Sequence, residues 1–179
     1  MEPVTTDPKG ENRCISVNTS ALVKNKRSKE MGWYVTGFVD GEGSFLVSFS
    51  LRSKLTMGIE ARPSFSLSQN KRNLEILNRL QQYFECGSIR FDRHDQTYKY
   101  ESRSLDDLCS KIIPHFRDYP LQTSKNNDFK QFEVICRLMK SNQHRSPKGL
   151  ADIIERAYKM NNLGARRYEK HFLLKIAAR

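Results

Sequence analysis

Two carboxylates, Asp40 and Glu42, alternate with two glycines, Gly41 and Gly43, where an apolar helical stretch gives way to a strand. Met31, Tyr34, Val35, Phe38 and Val39 recur at helical spacing, whereas Phe45, Val47, Phe49 and Leu51 alternate with Ser44, Leu46, Ser48 and Ser50. The acids therefore fall at a helix C-terminus, whose partial negative charge favours cations instead. A Lys, Arg or Asn ahead of the glycine would end the helix without that penalty. Oxygen donors gathered where they repel one another suit a hard divalent cation, so metal-assisted chemistry is one expectation. A plain helix-ending turn is the other.

The rest of the composition narrows the partner. The 179 residues carry 31 Lys and Arg against 20 Asp and Glu, a formal charge of +11, which points to a polyanion and most simply to nucleic acid. From Leu121 to Arg179 there are 13 basic and 5 acidic residues, so the C-terminal part holds +8 of that charge. Ten Phe, seven Tyr and one Trp supply a core. Cys14, Cys86, Cys109 and Cys136 lie far apart, as do His94, His115, His144 and His171. Neither set has zinc-ligand or disulfide-framework spacing, and ordinary reduced cysteines imply an intracellular protein. No run of about 18 apolar residues would cross a membrane, and Met1-Glu2-Pro3-Val4 lacks the plan of a signal peptide.

The elements around the acids follow from periodicity. Residues 1–27, with Pro3, Pro8 and Gly10, read as an N-terminal arm or disordered leader, and residues 28–179 as one domain. A helix is expected from Ser28, with Gly37 inside it. A mid-helix glycine costs up to about 1 kcal/mol against alanine, so Gly37 calls for a close backbone approach. Two strands follow, Ser44–Leu51 and Glu60–Ser68, with Pro63 marking an edge or bulge. Their polar faces carry serines punctuated by arginine, as suits a β-ribbon reaching base edges in a groove. A helix over Asn73–Phe84, a hairpin over 87–103 and a capped helix from Ser104 that Pro114 disturbs come next. Helices from about Ser124 and from Ser146-Pro147, the latter closed by Gly164, and a last segment over Tyr168–Ala178 complete the chain. The α-β-β-α-β-β-α order lacks regular βαβ units, which gives an α+β fold with an antiparallel sheet.

Residues Val35 to Gly43 resemble the signature of the LAGLIDADG homing endonucleases, with Val35 in the leucine position, and the element order over about residues 28–165 is that family's. Gln69 is similar to a polar residue lining the cleavage site in these enzymes. Lys125, in Pro120-Leu121-Gln122-Thr123-Ser124-Lys125, is similar to a lysine near the scissile phosphate. The resemblance implies a saddle-shaped sheet over the major groove, extra C-terminal helices, and a homodimer because the signature occurs once. It implies hydrolysis of both strands of a long pseudo-palindromic double-stranded DNA, with short 3′ overhangs. Glu42, Gln69 and Lys125 would be catalytic, and Glu42 with the Gly41 carbonyl would hold Mg²⁺, or Mn²⁺ or Ca²⁺ in its place. Ser48, Ser50, Arg52, Lys54, Arg62, Ser64, Ser66, Arg90 and Lys99 would contact DNA. Trp33, Thr36, Gly37 and Asp40 would meet the second copy, Asp40 also bracing the helix ends. No membrane partner is implied. Such proteins are usually intron-encoded, in chloroplasts, mitochondria, archaea or phage. An RNA maturase that assists splicing and a non-cleaving DNA-binding regulator share the fold. The signature's second acid is more often Asp, so Glu42 shifts the donor position, and Asn73 is neutral where relatives often carry a base, which Lys71 or Arg72 could supply.

Overall fold

The computed structural model describes residues 19–161 and 166–178, with side chains from Lys29 onward. Its elements are α1 (Thr19–Glu42), β1 (Gly43–Leu51), β2 (Ile59–Asn70), α2 (Leu74–Phe84), β3 (Ser88–Asp92) and β4 (Thr97–Ser102), followed by α3 (Leu105–Asp107), α4 (Ile113–Asp118), α5 (Lys125–Lys140), α6 (Pro147–Ala157) and α7 (Lys170–Ala177). The order α-β-β-α-β-β-α is the expected one. The four strands form a fully antiparallel sheet in the order β1-β2-β4-β3.

Alternation decides which side of the sheet is buried. Phe45, Val47, Phe49, Phe65, Leu67 and Tyr100 turn to the helices, and the core condenses around Phe45, whose ring lies 5.2–5.4 Å from those of Phe65, Phe116, Phe129 and Phe132. Leu77, Leu80 and Phe84 of α2 close the same layer. Among the described residues no helix covers the opposite face. Pro63 sits where β2 has outrun β4: β2 pairs with β4 only from Phe65 to Asn70, so Pro63 meets only β1.

Several boundaries move, each for a local reason. The leader expected over 1–27 lies outside the described residues as far as 18, and from Thr19 the backbone is already helical. Ala21-Leu22-Val23-Lys24-Asn25-Lys26-Arg27 contains good helix formers and no Pro or Gly, so nothing stops α1 at Ser28. β2 runs on to Asn70, which places Gln69 inside the strand instead of after it, and a 3₁₀ turn at Lys71–Asn73 delays α2 to Leu74. Pro114 does not end its helix. A π-helical turn over Leu108–Ile112 widens the spiral ahead of the missing N–H, and α4 continues to Asp118. Ser104 and Ser146 cap as expected, accepting from the Asp107 and Gly149 amides at 3.3 and 3.2 Å. Ser124 makes no capping bond; Thr123 Oγ1 accepts from the Lys125 amide at 3.2 Å instead. α6 ends at Ala157, and Gly164, expected to close it, falls outside the described residues.

Candidate active site

The end of α1 is built by its own neighbours. Val35 and Val39 are fully buried and press the helix onto the core. Gly43 lets the strand leave at once, since a Cβ there would lie 2.5 Å from Val39 Cγ1 and 2.8 Å from the Val39 carbonyl. Asp40 is stabilised by the loop that precedes α5: its carboxylate accepts from the Gln122 amide at 2.7 Å, the Thr123 amide at 3.3 Å and the Thr123 hydroxyl at 2.7 Å. That loop starts α5, and Lys125 in its first turn returns its Nζ to donate to the Val39 carbonyl at 2.8 Å. An ammonium thus stands at the C-terminus of α1, where the helix dipole favours one. Burial holds the Lys125 ammonium below the ordinary lysine range, opposed by the charges of Asp40, Glu42 and Asp128. Part of the cost that the bare pattern assigned to a divalent cation is therefore met by residues more than 80 positions away.

Glu42 is the acid left over. It is exposed, with no hydrogen bond or ion pair among the described residues. Gln69 stands at the same end of the sheet, two residues beyond the Gly43–Leu67 pair and opposite Tyr98. Its Oε1 accepts from Asn73 Nδ2 at 3.0 Å across the 3₁₀ turn, a link that neither strand nor helix spacing suggests. Lys71 donates to Gln96 and Arg72 to Asn70, so both candidate substitutes for a base at position 73 are held at the sheet end. Among the described residues no hydrogen bond joins Gln69 to Glu42 or Lys125.

The donor chemistry fits a hard cation. Glu42 offers a free carboxylate, and Gly41 is in the last turn of α1, whose carbonyls lack intrahelical partners. Among the described residues no group of three or more His, Cys, Asp or Glu could hold a metal, and the expected second copy would add its own Glu42 to the donors.

The four residues expected at the contact with that copy divide. Trp33 is 50% exposed and Gly37 is exposed, and Tyr34 and Gly41 stand beside them. Thr36 and Asp40 turn inward instead. Thr36 is 1% exposed, donating to the Tyr119 carbonyl at 2.8 Å and lying 3.2 Å from His115 Nε2. Positions 36 and 40 are one turn apart, on a stripe of α1 only about 80° round from that of 33, 37 and 41, which is why spacing alone could not separate them.

The uncovered face of the sheet and the turn between β1 and β2 carry the expected groove residues, unevenly. Arg52, Lys54, Ser48 and Arg90 are exposed, and Ser50, Arg62 and Lys99 half-buried. Ser64 and Ser66 are on this face but only 7% exposed: Ser66 is flanked by Ser44 of β1 and Glu101 of β4, and Ser64 by Leu46 of β1. Leu46, paired with Ser64, is 40% exposed among them. Two carboxylates are each set between two bases: Glu60 between Arg52 and Arg62, and Glu101 between Lys99 and Arg103. No helix among the described residues is long and apolar enough to cross a membrane.

Comparison with known proteins bears on this geometry. The family model described as LAGLIDADG endonuclease matches residues 35–136. A protein of Neurospora crassa described as probable intron-encoded endonuclease 3 is 35% identical over 130 residues, 72% of this chain and 24% of the relative. The chain thus spans about a quarter of that protein, and less than half of the next curated relatives it matches. Among solved structures, the archaeal intron-encoded homing endonuclease I-Vdi141I complexed with DNA matches at a TM-score of 0.77 and 26% identity, over 83% of this chain and 95% of that one. I-SmaMI bound to uncleaved DNA in the presence of calcium ions matches at a TM-score of 0.72 and 32% identity, over 76% of this chain and 46% of that one.

Proposed function

Because the chain belongs to the LAGLIDADG endonuclease family, we propose that it is a site-specific homing endonuclease that acts as a homodimer. It hydrolyses both strands of a long, pseudo-palindromic double-stranded DNA, with Mg²⁺ as the cellular metal, and leaves short 3′ overhangs. The observation that carries this reading is the division of labour at the end of α1. Asp40 and Lys125 are tied into the protein, whereas Glu42 beside them is exposed and makes no bond among the described residues. The homodimer is supported by the outward Trp33, Tyr34, Gly37 and Gly41, and by the match to nearly all of one solved neighbour but under half of another. An intracellular, organellar setting belongs to the same reading, supported by the intron-encoded description of the fungal relative.

In this mechanism Glu42 and the Gly41 carbonyl would hold the divalent ion, which would supply Lewis acidity and a hydrolytic nucleophile. Two Glu42 carboxylates facing across a twofold axis would repel, and bound divalent cations would offset that repulsion. The half-buried Lys125 ammonium, less screened than a surface charge, stabilises negative charge developing on the phosphate oxygens. The Gln69 amide, fixed by Asn73, orients the attacking water. The uncovered sheet face lies along the major groove, where its bases neutralise phosphates and its side chains reach base edges.

The test is cleavage of a duplex selected by the protein from a randomised library. Glu42→Gln is expected to keep binding and to cut at least roughly a thousandfold more slowly, the scale of losing a group on which the chemistry depends. If wild type and Glu42→Gln bind DNA equally and neither cuts in Mg²⁺ or Mn²⁺, the nuclease reading is wrong.

A further inference from the structure

Glu60 faces the uncovered side of the sheet, directly across from Ser50. Its Oε2 accepts from Arg62 Nη2 at 2.6 Å and from Arg52 Nε at 2.9 Å, so one oxygen holds two guanidinium groups that come from different sides. The hydrogen bond from Arg62 first, and then that from Arg52, hold the Glu60 carboxyl below the ordinary glutamate range. Exposed ion pairs add little to stability, so two arginines converging on one carboxylate call for another purpose. Arg62 is also fixed through its backbone, whose carbonyl lies 3.4 Å from the Ser48 hydroxyl. Arg52 spends its Nε on Glu60 and, among the described residues, keeps both terminal nitrogens as an open fork. That fork is the donor pair that matches O6 and N7 of guanine.

We infer that Glu60 is a positioning residue for base recognition: it aims the Arg52 and Arg62 guanidinium groups at guanine edges and keeps them from serving as free phosphate ligands. The inference rests on the DNA-binding reading above and deepens it. Guanidinium groups without a carboxylate partner would neutralise phosphates wherever the protein lands, raising non-specific affinity without sequence information. Pre-oriented ones lose less freedom on binding and gain most where guanine stands opposite. Position along the strand says where. Ser50, the partner of Glu60, is seven residues from Gly43, or roughly 23 Å at strand spacing. At 3.4 Å per base pair this is about seven base pairs outward from the scissile centre. Glu101 repeats the device on β4: 10% exposed in its side chain, it lies 2.8 Å from Arg103 and 3.5 Å from Lys99.

The experiment compares wild type with Glu60→Gln on two duplexes in calcium: one selected by the wild-type protein from a randomised library, and one of the same length with shuffled sequence. A thermal melt of the variant, expected to match wild type, separates misfolding from misreading. Glu60→Gln should lower the ratio of selected to shuffled affinity roughly five- to tenfold, the scale of one base pair's discrimination. It should also steepen the salt dependence on the shuffled duplex by about one to two charges. Replacing each guanine of the selected duplex by 7-deazaguanine, which removes the N7 acceptor, should reveal an outer position penalised in wild type and much less so in the variant. An unchanged ratio and salt slope, or no guanine whose penalty depends on Glu60, overturns the inference while leaving the endonuclease reading intact. Failure of the wild type to enrich any duplex overturns both.

Discussion

Two glycines five residues apart on α1 show how differently its sides are finished. A Cβ on Gly32 would come within 2.5 Å of the Tyr119 ring, whereas one on Gly37 would meet nothing within 4 Å. The inner side is complete: Tyr119 packs on Gly32, Thr36 is bonded to the Tyr119 carbonyl and to His115, and Asp40 holds the loop before α5. The outer side presents Trp33, Tyr34 and Gly37 to solvent. Small residues in a helix mark close approach, and here the same residue type serves an approach within the chain at one position and leaves room for one from outside at the other.

The inner side can be broken hardest through His115. Its ring is enclosed by Tyr83, Phe84, Phe116 and Tyr119, with the Tyr83 hydroxyl 3.0 Å from Nδ1, and burial pushes its pKa down to about 4. The unfolded chain takes up this proton near pH 6.5 and the folded chain only near 4, so the contribution is fully present above about 6.5 and is lost as pH falls toward 4. The loss should approach roughly 3 kcal/mol. Urea unfolding across this range should show it in wild type, and a flattened profile in His115→Gln. A parallel profile in the variant would remove His115 from the account.

Next in size is Gly32→Ala, which must displace the Tyr119 ring and should cost about 1–3 kcal/mol of folding stability. Smallest is the same substitution on the other side. Gly37→Ala should stabilise the folded monomer by up to about 1 kcal/mol, because alanine is the better helix former and nothing stands in its way. It should at the same time weaken self-association in sedimentation. Opposite signs for one substitution at two positions would sharpen the contrast, and equal losses of folding stability would abolish it.

The helices and strands were legible because their causes are local. Alternation over Phe45–Leu51 and three-or-four spacing from Leu74 to Phe84 declare a strand and a helix in any surroundings. The motif of Val35–Gly43 likewise identified the family. Ends were less legible: Ser28 offers a start signal, but nothing in the residues before it stops a helix, and Thr123 in place of Ser124 supplies the bond ahead of α5. Serines at 64 and 66 have the right parity for a groove face, yet parity does not say that neighbouring strands will cover them.

What the chain alone determined is therefore the list of parts: an apolar helix ending in two acids, four strands polar on one side, and a basic surplus. Each follows from interactions between residues a few positions apart. Only the tertiary structure decided their use. It put the Lys125 ammonium on the Val39 carbonyl, gave Asp40 to the Thr123 loop, left Glu42 without a partner among the described residues, and set one α1 glycine against a ring and the other against open space. These contacts join residues more than 80 positions apart, and no spacing rule encodes them, because the geometry of a long-range meeting is set by the packing of everything between.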